Sequence, residues 1–186
     1  MPCSSLPAYR SARRRGAALA LAAAVALTSC ASHATPPAVS RPANGPVTFA
    51  GVTVVGGTNL KQAPTVTSKS TTSPSTLEYK DLVVGTGQVA TQASTVTVQY
   101  VGALYSNGKV FDASWTDGGA TGFPLDGTIP GFTQGIGGTG SIPAMKIGGR
   151  RLMILPGSLG YVNGDSQAGI APGAPLVFVV DLLEIQ

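Results

Sequence analysis

Past residue 75 the candidate acids are Asp112, Asp117, Asp126, Asp165 and Asp181, and the well-spaced aromatic rings are Tyr100, Phe111, Phe123, Phe132, Tyr161 and Phe178. The one histidine, His33, and both cysteines, Cys3 and Cys30, come earlier. A Ser-His-Asp or Cys-His triad therefore cannot be assembled in the later part of the chain, because no imidazole or thiolate is there to activate a nucleophile. A zinc site lacks its usual ligands for the same reason, and neither metal nor cofactor is expected. The stretch Gly135-Ile136-Gly137-Gly138-Thr139-Gly140 follows no strong strand and lacks the Lys-Ser/Thr of a phosphate loop, which argues against a nucleotide cradle. No pair of aspartates is spaced in a way that singles it out as a glycosidase pair. What remains is the chemistry of a dry aromatic surface with one or two polar handles.

The elements that must position these rings are mostly strands. In Thr95–Leu104 the residues Val96, Val98, Tyr100 and Leu104 alternate with Thr95, Thr97, Gln99 and Ala103, the period of a half-buried strand with Tyr100 on its apolar face. Asn107-Gly108 is a favoured hairpin dipeptide, both residues tolerating positive φ, so the chain should return through Val110-Phe111-Asp112. That hairpin carries a tyrosine, a phenylalanine and a carboxylate to one region. Leu77 to Val84 reads as a strand stopped at Gly85, and Arg150–Leu155 and Leu176–Leu183 are two stronger ones. The one helix candidate follows Pro130, which suits a first helical turn, and must be short because it contains glycines. About 110 residues from Thr76 to Gln186 suffice for one core.

The first segment reads as an export signal. Arg10, Arg13, Arg14 and Arg15 precede an apolar run from Gly16 to Leu27 that is too short to span a bilayer stably. Leu27-Thr28-Ser29-Cys30 resembles the bacterial lipobox, so Cys30 is expected to carry lipid and become the first residue of an exported protein held at the outer face of the cell membrane. The net charge of +4 includes the four arginines of that signal, which leaves eight basic and eight acidic residues and no electrostatic case for nucleic acid. The expected organisation is a signal over residues 1–29, a flexible Ser/Thr/Pro-rich tether over 30–75 and one domain over 76–186. Within the tether, Val47–Val55 is β-prone and is left open between pairing with the domain edge and pairing with another copy.

From Thr76 onward a series of motifs occurs in a fixed order: Tyr100, Phe111-Asp112-Ala113-Ser114, Thr128-Ile129-Pro130-Gly131-Phe132, Met145 to Arg151, Leu155 to Tyr161 and Leu176 to Leu183. In this order they resemble the FKBP-type peptidyl-prolyl cis/trans isomerases. The resemblance implies an α+β fold, a curled antiparallel sheet of about five strands wrapped around one short α-helix, with a ligand pocket between them. It implies catalytic roles for Tyr100, Phe111, Asp112, Ile129 and Tyr161, and substrate contacts from Thr128, Phe132, Ile170 and Phe178. Its ligands would be X-Pro segments of unfolded or extended exported polypeptides. Macrolide immunosuppressants are also ligands of the family, although Phe132 stands where the family usually has tryptophan. About six extra residues between Ile136 and Met145 leave open a substrate-shaping loop or a neutral insertion. The alternative to catalysis is a chaperone or scaffold module that clasps proline-rich segments without turning them over.

Overall fold

The computed structural model describes residues 45–186, so the export signal, Cys30 and His33 lie outside the described residues. Part of the expected tether forms strands instead. β1 (Val47–Phe49), β2 (Val52–Val55) and β3 (Thr65–Ser68) form a three-stranded antiparallel sheet in the order β1-β2-β3. Ala50 and Gly51, both at positive φ (45° and 77°), make the two-residue turn between β1 and β2. Val52, Val54 and Val66 point inward and are buried, while Thr53, Thr65 and Thr67 alternate with them on the other side.

The second sheet holds β4 (Glu78–Val83), β5 (Thr95–Leu104), β6 (Val110–Ala113), β7 (Thr121–Pro124), β8 (Arg150–Leu155) and β9 (Leu176–Ile185). Its order is β4-β8-β9-β5-β6, all antiparallel, with β7 also paired to β5. β9 runs along one edge of β5, from Val96↔Ile185 to Leu104↔Leu176. β6 and β7 therefore share the other edge end to end, so six strands fill the five places expected. α1 (Pro130–Gly137) is the helix read from the sequence, with Pro130 in its first turn. Its glycines let it lie close to β8: a Cβ on Gly131 would fall 2.4 Å from Leu155 and one on Gly135 2.2 Å from Met153.

Both faces of the second sheet are covered. On the helix side Val96, Val98, Phe132, Ile136, Met153 and Phe178 belong to one buried cluster. On the outer side Leu82, Val101, Leu152, Ile154, Val177 and Val179 are buried against Val52, Val54 and Val66 of the first sheet. Each such side chain taken out of water contributes roughly 1.5–3 kcal/mol. β5 is thus half-buried only at its start; Val101 and Ala103, on the face expected to meet solvent, are covered by the first sheet. The segment Val47–Val55 does not add to the edge of the domain sheet. It packs on the flat face.

Two adjacent arginines lock these layers. Arg150, fully buried, donates from Nε and Nη2 to Asp181, and from its two terminal nitrogens to the carbonyls of Gly56 (3.0 Å), Asn59 (3.1 Å) and Gln62 (3.1 Å) in the β2–β3 loop. Arg151 points to the opposite face. It grips Asp81 of β4 at 2.6 and 3.0 Å, reaches the carbonyls of Gly135 (2.8 Å) and Pro143 (2.7 Å), and stacks 4.5 Å from the Tyr79 ring centre. Each of these charges is matched in a bidentate pair; at Asp181 burial still outweighs the Arg150 guanidinium and holds the carboxyl above the usual carboxylate range.

Candidate active site

Seven of the nine expected site residues line one cleft of about 340 Å³: Tyr100, Asp112, Thr128, Ile129, Phe132, Tyr161 and Phe178. They come from β5, β6, the turn before α1, α1 itself, the loop after β8 and β9. The rings meet edge to face around the cleft. Phe132 lies 5.5 Å from Phe178 and 6.3 Å from Tyr100, centre to centre, and Tyr100 lies 6.5 Å from Phe178. Such pairs add about 0.5–1.5 kcal/mol each beyond burial and fix one another's tilt.

The hairpin that delivers Asp112 differs in detail from the expected turn. Asn107 does not take positive φ; only Gly108 does, at 72°. The Gly108 N–H donates to the Leu104 carbonyl at 2.8 Å and the Leu104 N–H to that of Lys109 at 2.9 Å. The hairpin stands, with a longer loop. Where β6 ends, buried Ser114 accepts from the Tyr100 N–H at 2.9 Å and donates to Gln99 Oε1 at 2.5 Å, fixing the backbone that carries Tyr100.

Polar groups are sparse and held. The Tyr100 hydroxyl donates to Asp112 Oδ2 at 2.7 Å. Burial, followed by that hydrogen bond, pushes the Tyr100 phenol well above its ordinary range. Burial and then the Asp112 charge push Tyr161 up as well. Both hydroxyls therefore remain donors at neutral pH. Before α1 the Leu125 carbonyl accepts from the Thr128 N–H (3.1 Å) and hydroxyl (2.8 Å) and from the Thr133 hydroxyl (2.5 Å). None of the backbone hydrogen bonds around this turn uses the Ile129 N–H, which stands beside the cleft. Among the described residues no group of three or more His, Cys, Asp or Glu could hold a metal ion.

Two expected residues stand elsewhere. Phe111 is half-buried and stands against two of the lining rings, 5.7 Å from Phe178 and 6.5 Å from Tyr161. Ile170 is buried in the helix-side core, its backbone paired with Asp165 at 2.7 and 2.8 Å, and is not among the lining residues. Sequence reasoning also missed contributors. Phe123 of β7 closes the wall 5.6 Å from Phe132, and Gly127 lines the turn. Gly102 leaves room for two rings at once: a Cβ there would come within 2.9 Å of both Phe111 and Phe178. The extra residues after Ile136 lie at the far end of α1, held by Gln92 Nε2 on the Gly138 carbonyl (2.5 Å) and by Arg151 on that of Pro143. They do not line the cleft.

Against known proteins, residues 86–183 match the family model described as FKBP-type peptidyl-prolyl cis-trans isomerase. The FK506-binding protein of Streptomyces anulatus is 44% identical over 117 residues, covering 60% of this chain and 88% of that one. The FkpA isomerase of Escherichia coli (strain K12) is 37% identical over 115 residues, covering 62% of this chain and 40% of its own. Among solved structures, AtFKBP13 superposes with a TM-score of 0.56 at 36% identity, over 61% of this chain and 96% of that one. The sheet β1–β3 precedes the first residue matched by the family model.

Proposed function

The chain belongs to the FKBP-type peptidyl-prolyl cis-trans isomerase family, and we propose that it turns X-Pro bonds in the aromatic cleft between α1 and β5, in polypeptides that fold after export. It is a peptidyl-prolyl cis/trans isomerase. The observation that carries the site assignment is the meeting of rings from β5, β7, α1 and β9 around one small volume, with a single carboxylate, Asp112, held at its side.

Amide resonance resists rotation about the C–N bond with a barrier of ~18–20 kcal/mol. Twisting the bond uncouples the nitrogen lone pair from the carbonyl, so the twisted state is less polar than the planar one and is favoured in dry surroundings. The prolyl ring enters over Phe132 and against Tyr100, Phe123 and Phe178. The Ile129 N–H and the Tyr161 hydroxyl hold carbonyls of the flanking chain. Asp112, fixed by Tyr100, presents its charge to the dipole of the rotating amide. Rate enhancement of ten-thousandfold requires about 5.5 kcal/mol, within reach of apolar burial and one or two hydrogen bonds.

The place of action rests on the sequence. The arginines, the apolar run and Leu27-Thr28-Ser29-Cys30 support export and lipid attachment at Cys30. Because β1 begins at Val47, only 16 residues would separate the lipid from the folded part, at most roughly 55 Å of chain. That is a shorter leash than a tether reaching to residue 75. In a protease-coupled assay on an X-Pro peptide, Phe111→Ala and Asp112→Asn are expected to lower kcat/KM at least tenfold, and Cys30→Ser to move the protein from the membrane fraction to the soluble one. Unchanged rates in both cleft variants would refute the site, and an unmoved Cys30→Ser protein would refute the anchor.

A further inference from the structure

We infer that the β1–β3 sheet, which lies outside the family match, is a positioning device for the isomerase cleft, because it holds both ends of the strand that carries Phe111 and Asp112. The inference rests on the reading of that cleft as the isomerase site. β6 is weakly held by its own sheet. It pairs with β5 at only three positions, Val101↔Ala113, Gly102↔Asp112 and Ala103↔Val110, with a register shift between the last two. Among the described residues no strand pairs with its other edge.

The first sheet adds a hold from outside the domain sheet. At the start of the hairpin, buried Ser68 of β3 donates to the Tyr105 carbonyl at 2.5 Å, and the Tyr105 hydroxyl donates to the Ala50 carbonyl at 2.7 Å. Gly108, at the tip, lies flat on β3: a Cβ there would fall 2.8 Å from the Ser68 nitrogen. Ala50 is the one described non-glycine residue at positive φ, a conformation that costs energy and that the β1–β2 turn imposes where it aims the Ala50 carbonyl at Tyr105. At the other end of β6, Ala113 and Trp115 pack into the cluster that contains Val52, Val54 and Val66. Asp112 and Phe111 therefore sit between two points, residue 105 and residues 113–115, that are both fixed to the first sheet. Catalytic geometry is lost with displacements near 1 Å, which cost up to about a hundredfold in rate. Three rungs, the Ser114 and Asp112 ties to Tyr100 and the contacts with the first sheet together hold β6 within that tolerance.

The test uses the full chain carrying Tyr105→Phe and Ser68→Ala together, assayed well below its melting temperature. Thr48→Ala, on the exposed side of β1, and Asp112→Asn accompany it. Expected are a roughly tenfold loss of kcat/KM in the double variant, shifted NMR resonances of the Tyr100 ring that reports the Asp112 contact, and wild-type kinetics in Thr48→Ala. Emission from Trp115, the only tryptophan, checks that the first sheet is still docked. If the double variant does not fold, Tyr105→Phe alone, which removes one hydroxyl, decides by the same readings. Wild-type kcat/KM and Tyr100 resonances in the brace variant beside an impaired Asp112→Asn would overturn the brace and leave the cleft standing. An equal loss in Thr48→Ala would also overturn it, as general destabilisation. Full activity in Asp112→Asn would remove the cleft reading on which the inference rests.

Discussion

Gly102 decides how closely the walls of the cleft can meet. Phe111 and Phe178 pack edge to face over it, and any side chain at 102 would drive them apart. Gly102→Ala is expected to lower kcat/KM about tenfold and to cost about 1–3 kcal/mol of stability by overpacking, read from the coupled assay and from urea unfolding. A second expectation concerns pH. Burial raises the folded-state pKa of Tyr100 above its ordinary value of 10.0, so the protonated phenol contributes stability that is complete below pH 10 and is lost as pH climbs toward the folded-state value. Unfolding midpoints measured from pH 8 to 11.5 should fall at the alkaline end, and fall less in Tyr100→Phe; Tyr161, shifted the same way by burial and then the Asp112 charge, adds to the fall in both proteins. An identical alkaline fall in both proteins would contradict this. At this scale the ordered motifs made most of the site legible. Phe123 escaped because Thr121-Gly122-Phe123-Pro124 places a glycine and a proline in a strand of four, against the composition that marks strands. Ile170 lies in the helix-side core with Phe132 and Phe178 and does not line the cleft itself, because a motif in a loop fixes neighbours along the chain and not the direction of a side chain.

Among the elements, β8 holds the layers together through two neighbouring residues that point to opposite faces. Replacing Arg150 with methionine would leave the buried carboxylate of Asp181 without its partner and three carbonyls of the β2–β3 loop without a donor. Breaking a buried pair from one side costs about 3–5 kcal/mol, so the urea midpoint of Arg150→Met should fall accordingly. A drop of less than about 1 kcal/mol would show that the loop is held by other means. The helix and the four longest strands were readable because their periodicity and punctuation agree: Pro130 opens α1, and Pro156-Gly157 stops β8. The first sheet was readable only in part: Val47–Val55 showed as β-prone, but its pairing with β3 and its packing on the domain did not. Its strands are three or four residues long, most of its outward positions are threonines, and Ala50 is a poor marker of a turn at positive φ. A signal for it did exist on the other side of the contact. β9 reads Leu176-Val177-Phe178-Val179-Val180 without alternation, the pattern of a strand buried on both faces, and such a strand requires a second covering layer.

Across the whole molecule, the unit that folds is larger than the unit the family match outlines. Cutting away residues 45–75 would uncover Leu82, Val101, Leu152, Ile154, Val177 and Val179 together. At ~1.5 kcal/mol or more for each buried side chain, the loss rivals the stability of an ordinary domain. The truncated chain is expected to bind hydrophobic dyes and to aggregate, which light scattering and dye fluorescence would record; wild-type melting after the deletion would contradict the two-faced sheet. The same construction keeps the cleft on one side of the sheet and the first sheet on the other, leaving the aromatic mouth open to an extended chain. Exchange NMR on a succinylated Ala-Leu-Pro-Phe peptide mixed with substoichiometric full chain tests the central claim most directly. Cis/trans exchange should become faster than the uncatalysed tens to hundreds of seconds, with resonance shifts at Ile129, Tyr161 and Phe178. Exchange left at the uncatalysed rate, or shifts gathered around Pro143 to Lys146 instead, would contradict it.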